Sequence, residues 1–81
     1  MKIRKPGELL FVKWLDAFSQ DDWTPAAEAK IKPCEIHTVG ICVEHTAEHL
    51  TLALNHDTFN DNYSCIMTVP VGMITEVKKL K

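Results

Sequence analysis

Glycine is scarce in this chain, with three residues in 81. That leaves no Gly-rich loop of the kind that cradles phosphates. Cysteine is sparse and odd in number: Cys34, Cys42 and Cys65, with no C-x-x-C pair. The spacing argues against a disulfide framework. Three reduced, mostly buried thiols packing as small hydrophobes are the expectation. No apolar run approaches the ~18 residues of a membrane-spanning helix. Met1 to Gly7 carries charge but leads into no apolar stretch with a cleavage site, so it does not read as a signal peptide. A cytoplasmic protein is expected.

Catalytic and metal signatures are missing as well. Ser64-Cys65 lies far from the histidines and outside any nucleophile-elbow pattern. Asp57 and Asp61 lack the spacing of an EF-hand loop. H-E-x-x-H is absent. His45-Thr46-Ala47-Glu48-His49 has H-x-x-x-H spacing, but that spacing ligates zinc from a helix, and here it falls across a turn. Cross-strand neighbours with Glu44 or Glu48 are the remaining route to a metal; solvated histidines at a hairpin tip are the simpler reading. An enzyme, a cofactor and a bound metal are therefore not expected.

What is there fits one domain, residues 1–81. A chain this short buries only about 60% of its unfolded surface, so oligomerisation is a natural supplement. Charge is unevenly spread over a net −2. Lys2, Arg4, Lys5 and Lys13 against Glu8 make residues 1–13 net +3. Lys78, Lys79 and Lys81 against Glu76 make residues 73–81 net +2, and the stretch between is −7. If the termini meet, the protein has one basic end and an acidic remainder. Nucleic-acid binders show a larger basic excess, so that role is disfavoured.

Hydrophobic patterning predicts five strands. Pro6-Gly7 is a turn closing a basic tail, residues 1–7. Strand one runs from about Glu8 to Leu15, with Leu10, Val12 and Trp14 on one face and Leu9, Phe11, Lys13 and Leu15 on the other. Both faces are largely apolar, so it is central or covered on two sides. Strand two spans Ile36 to Glu44, where an isolated Gly40 suggests a bulge or tight bend. Strand three, His49 to Asn55, alternates Leu50, Leu52 and Leu54 with Thr51, Ala53 and Asn55. A helix over Glu44 to Leu54 is the competing reading, opposed by the period-two leucines. Strand four runs from Tyr63 to Val69, a tight turn covers Pro70 to Ile74, and strand five covers Thr75 to Leu80.

The connection from Asp16 to Pro33 is long for so small a domain, and long ordered loops tend to be functional. Ala26 to Lys30 within it suits one helical turn after Thr24-Pro25. Five short strands, a long first loop and a Pro-Gly turn before the last strand are the order of an SH3-like barrel. The fold expectation is a small five-stranded SH3-like barrel of the all-β class.

Three segments carry a resemblance to small accessory proteins of tailed bacteriophages and prophages. They are Val12-Lys13-Trp14-Leu15-Asp16 followed by Ser19 and Trp23; Thr38-Val39-Gly40 running through Glu44 to Leu52-Ala53; and Met67 to Ile74. The chain departs at Asp22, where the group often has glycine, and at Val71, often basic there. The resemblance implies an SH3-like barrel without enzymatic activity. By context, some phage proteins of this size resemble antagonists of bacterial immunity that capture nucleotide signals.

The candidate ligand residues are Trp14, Asp16, Ser19, Trp23 and His37. Trp14 and Trp23 offer flat stacking surfaces beside the long loop; core packing for Trp14 and an anchoring role for Trp23 are the plainer readings. Asp16 and Ser19 suit either a turn cap or acceptance from a ligand hydroxyl or amine. His37, at the loop's far end, faces the same groove or plain solvent. The leading expectation is a non-catalytic, homo-oligomeric phage protein sequestering a nucleotide-derived signal at a subunit interface, in the host cytoplasm. The alternatives are an adaptor binding a host or phage protein and a weak nucleic-acid binder through the basic termini.

Overall fold

The computed structural model describes residues 1–17, 22–29 and 33–81. Five antiparallel strands form one sheet: β1 (Leu9–Asp16), β2 (Cys34–His45), β3 (His49–Asp57), β4 (Asn62–Pro70) and β5 (Ile74–Lys79). The spatial order is β4-β3-β2-β1-β5, a meander whose last strand returns beside the first. The only helical pieces among the described residues are two 3-10 turns, Ala26–Glu28 and Val71–Met73. Each follows a proline, whose fixed φ suits the start of a helical turn. Glu44 to Leu54 is strand, turn and strand, as the period-two leucines require.

The sheet does not close into a barrel, which corrects the SH3-like barrel expectation. β4 and β5 are its two edges. β5, of six residues, spends its pairing on β1, and among the described residues its other side has no strand partner. The residues expected to be a basic tail occupy that opening instead. The Arg4 backbone N–H donates to His45 Nδ1 at 2.8 Å, and Arg4 Nη2 donates to the Val77 carbonyl at 3.1 Å. Gly7 N–H donates to the Cys42 carbonyl at 2.8 Å. Residues 1–7 are thus a strap tied from β2 to the free edge of β5.

The core lies on one face. Leu10, Val12, Cys42, Leu50 and Leu52 form its buried cluster, with Trp14, Ile74 and Val77 packed against them. The opposite face of β1 is not covered: Phe11 is half-buried and Leu15 is exposed. With no second layer among the described residues, the sheet curls onto itself. Two features permit this. The β2–β3 register shifts between Cys42 and Glu44, a bulge-like irregularity that strengthens twist. Gly40 sits where a Cβ would come within 3.1 Å of Leu52 Cβ and 3.2 Å of the Ala53 carbonyl oxygen. The glycine therefore serves a close strand approach, and the bulge falls beyond it.

All three thiols are unpaired, but only Cys42 is buried; Cys34 and Cys65 are exposed, contrary to the expectation of mostly buried cysteines. Burial, then the nearby Glu8 carboxylate, push the Cys42 thiol up. The β2–β3 turn has no glycine because Thr46 serves it. Its Oγ1 accepts the N–H groups of Glu48 and His49 at 3.2 and 3.1 Å.

Two predictions follow the packing. Gly40→Ala forces β2 away from Leu52 and is expected to lower stability by about 1–3 kcal/mol, read by urea unfolding. The second concerns His45, which is 7% exposed. Burial first, then the charges of Arg4, the N-terminus and His49, hold its pKa below the ordinary 6.5. The folded state thus resists protonation more than the unfolded chain does. Stability is complete above pH 6.5 and falls as pH drops below it toward the depressed folded value. Thermal melts at about pH 7.5 and about pH 5.5 should show a lower Tm in acid, and His45→Asn should flatten that difference. Glu8 and Asp57, whose carboxyls are held low by hydrogen bonds from Lys5 and Asn60, titrate well below this window.

Candidate functional site: a forked apolar cleft

In a meander the β1–β2 and β3–β4 connections lie at the same end. The β2–β3 ladder runs only from His45↔Leu50 to Ile41↔Ala53. Beyond it the chains diverge. Cys34 to Gly40 stays with β1, and Asn55 to Asp57 stays with β4. The result is a fork of two hairpin arms. The molecule is correspondingly long, 55 × 24 × 20 Å.

A cleft of about 250 Å³ opens where the arms part. Thr38, Val39 and Gly40 line one side; Leu52, Leu54, Cys65 and Met67 are on the other. Among the described residues no charged side chain lines it. Leu54 is 65% exposed and Val39 50% exposed, large apolar groups left open to water. Cys65 has φ of 55°, the left-handed region that non-glycine residues seldom enter. Asn55, opposite Ser64 on β3, donates to Ser64 Oγ at 3.0 Å beside this point.

The arms end in aromatics. Trp23, in the β1–β2 connection, is fully exposed, and Phe59, in the β3–β4 turn, is 93% exposed. The Phe59 turn is rigidly made: Asp57 Oδ1 accepts the N–H groups of Phe59 and Asn60 at 3.0 and 3.3 Å, and Oδ2 accepts Asn60 Nδ2 at 3.0 Å. His56 stacks on Tyr63 at 4.2 Å between ring centroids, and its Nε2 meets Asp61 Oδ1 at 2.9 Å. A Phe held out by so built a turn is not there for the core.

The expected ligand residues divide between the two faces of the β1–β2 arm. Trp14 and Asp16 share the inner face, opposite Ile36 and Cys34. Trp14 packs on the core, and its Nε1–H donates to Thr38 Oγ1 at 3.0 Å, which ties it to the cleft wall. His37 belongs to the other face, edge-on to Phe11 at 5.5 Å, with Nε2 3.4 Å from Glu35 Oε2. It does not share a groove with Trp14 and Asp16. Trp23 is fully exposed and so does not anchor the loop. Ser19 lies outside the described residues.

His45 and His49 do not converge on a common point. His45 is buried under the strap, while His49 Nε2 meets Glu44 Oε1 at 3.2 Å. Among the described residues no group of three or more His, Cys, Asp or Glu side chains is placed to hold a metal.

Charge is unevenly spread over the molecule. The termini do meet: Leu9 and Lys81 share a hydrogen bond, as do Leu80 and Leu9. Lys2, Arg4 and Lys5 in the strap and Lys81 lie near this junction, while Lys78 and Lys79 sit on β5 opposite Phe11 and Leu10, in the same rows as Val39 and Gly40. Among the described residues, the fork's strands and loops carry Asp16, Asp22, Glu28, Glu35, Asp57 and Asp61 against Lys13.

Sequence reasoning missed Leu54, Cys65 and Met67. Leu54 continues the alternation of Leu50 and Leu52, and only the end of the β2–β3 ladder at Ile41 and Ala53, which spacing does not reveal, leaves it uncovered. No helix of the described residues is long and apolar enough to cross a membrane, which says nothing of strands. Comparison with protein-family models, with curated proteins and with solved structures finds no match.

The Trp14–Thr38 bond joins core to cleft. A double-mutant cycle of Trp14→Phe and Thr38→Val is expected to give a coupling of about 0.5–1.5 kcal/mol in unfolding free energy.

Proposed function

We propose that this chain is a non-catalytic protein-binding module that grips an apolar segment of a partner, flanked by basic residues, in the fork between its two arms. The carrying observation is the uncharged cleft between arms tipped with exposed Trp23 and Phe59. Exposed apolar surface of this kind marks protein contact, and aromatic side chains are the usual anchors of such contacts. The acids around the fork favour a basic partner and steer its approach. The resemblance to phage accessory proteins supports a host or phage protein as that partner, met in the host cytoplasm. The strand order, with β5 beside β1, supports kinship with SH3-like folds in an unclosed form.

Capture of a nucleotide-derived signal has less support. A phosphate needs cations or converging N–H groups, and among the described residues the cleft lining has neither charge nor a glycine-rich nest. The negative fork would repel it. Weak nucleic-acid binding would belong to the basic termini and leave the fork free.

The test is a photo-crosslinking residue at Leu54, applied in host extract and read by mass spectrometry. Expected is one dominant protein, joined through an apolar stretch bearing Lys or Arg, and lost on Trp23→Ser with Phe59→Ser. Calorimetric binding of cyclic dinucleotides or ADP-ribose derivatives, with no crosslinked protein, would overturn the reading. Nucleic-acid binding that disappears between about 50 and 200 mM salt would transfer the function to the basic termini.

A further inference from the structure

The two sheet edges are protected very differently. β5 carries Glu76, Lys78 and Lys79, and Glu76 pairs with both Lys13 and Lys78, at 3.4 and 3.8 Å. Charge of this kind blunts an edge against pairing with another chain. β4, from Asn62 to Pro70, has no charged residue in nine positions. Its Ile66 is 56% exposed. An uncharged edge of this length with an exposed apolar residue at its midpoint is a template for a further strand.

The strand that fits it best is its own. Antiparallel pairing of a strand with itself matches residues at equal distances from the centre. About Ile66, that pairing sets Ile66 against Ile66, Cys65 against Met67, Ser64 against Thr68 and Tyr63 against Val69. Apolar groups meet apolar groups, hydroxyl meets hydroxyl, and no like charges meet. Slipping the register by one residue, to Ile66 against Met67, would pair residues that lie on opposite faces of β4. Ile66 also ends a row that runs straight across the sheet: Leu9 pairs with Ile41, Ile41 with Ala53, and Ala53 with Ile66. A two-fold axis at Ile66 continues that apolar row into a second copy.

We infer that the protein forms a homodimer in which β4 of each copy pairs antiparallel about Ile66, giving one ten-stranded sheet. Cys65, with φ of 55°, interrupts the ladder at that one residue in each copy. Cys65 and Met67 both line the forked cleft, so the pairing brings the two clefts side by side. The dimer does not depend on what the cleft binds.

The register can be read directly. In a Cys34→Ser, Cys65→Ser background, which removes the exposed native thiols, Ile66→Cys should form an intermolecular disulfide on mild oxidation. Facing residues in such a pair lie within disulfide reach. Thr68→Cys in the same background should not, because its facing residue is Ser64. Native mass spectrometry of the unmodified chain should show a dimer. Ile66→Lys, which sets two ammonium groups face to face, should give a monomer with an unchanged circular dichroism spectrum. A wild-type monomer at the highest soluble concentration, a dimer that survives Ile66→Lys, or crosslinking at residue 68 equal to that at residue 66 would each overturn the inference.

Discussion

Leu10, Val12, Leu50 and Leu52 are buried without a second layer among the described residues above them. A single sheet can do this only by rolling over its own inner face, and the rest of the molecule follows from that constraint. The roll brings β2 and β3 so close that the position whose Cβ would press on Leu52 and the Ala53 carbonyl is glycine. It requires extra twist, which the irregularity after Cys42 provides. It also leaves an opening beside β5, which the Arg4 strap covers by bonding His45 and Val77. That strap is held at some cost. Arg4 Nε and His45 Nε2 are both buried without a hydrogen-bond partner among the described residues.

The same roll makes the fork. Strands β2 and β3 pair only as far as Ile41 and Ala53, then part, because each is committed to an outer neighbour, β1 and β4. Apolar residues placed past that point, Val39 and Leu54, have no core to enter. The cleft is therefore the remainder of an alternating strand pattern that runs longer than the pairing available to cover it. Among the described residues acid side chains predominate around the fork, so what approaches the cleft meets a mainly negative rim.

Much of the fold was legible in the sequence. Alternation of Leu50, Leu52 and Leu54, and of Leu10, Val12 and Trp14, defines strands by period alone. Pro25 and Pro70 mark the 3-10 turns. Less was legible where partners are distant in the chain. His45 reads as a hairpin-tip histidine, and only its bond to Arg4, 41 residues away, makes it a buried one. Residues 1–7 read as a tail because Arg4's partners cannot be inferred from spacing. His37 reads as a neighbour of Trp14 and Asp16, yet strand alternation counted from Trp14's partner, Ile36, puts it on the opposite face. Trp23 offers no local signal to distinguish an anchor from an exposed ring.

By itself, then, the sequence determined the class: an all-β chain of five strands, with its turns and its segregated charge. Those depend on local period, on proline and glycine, and on counting. Only the tertiary structure decided that the sheet stays open, that the N-terminus is a strap, and that a cleft lies between two arms. Each of these depends on which strands run out of partners first, and pairing length is a property of the whole sheet rather than of any one strand.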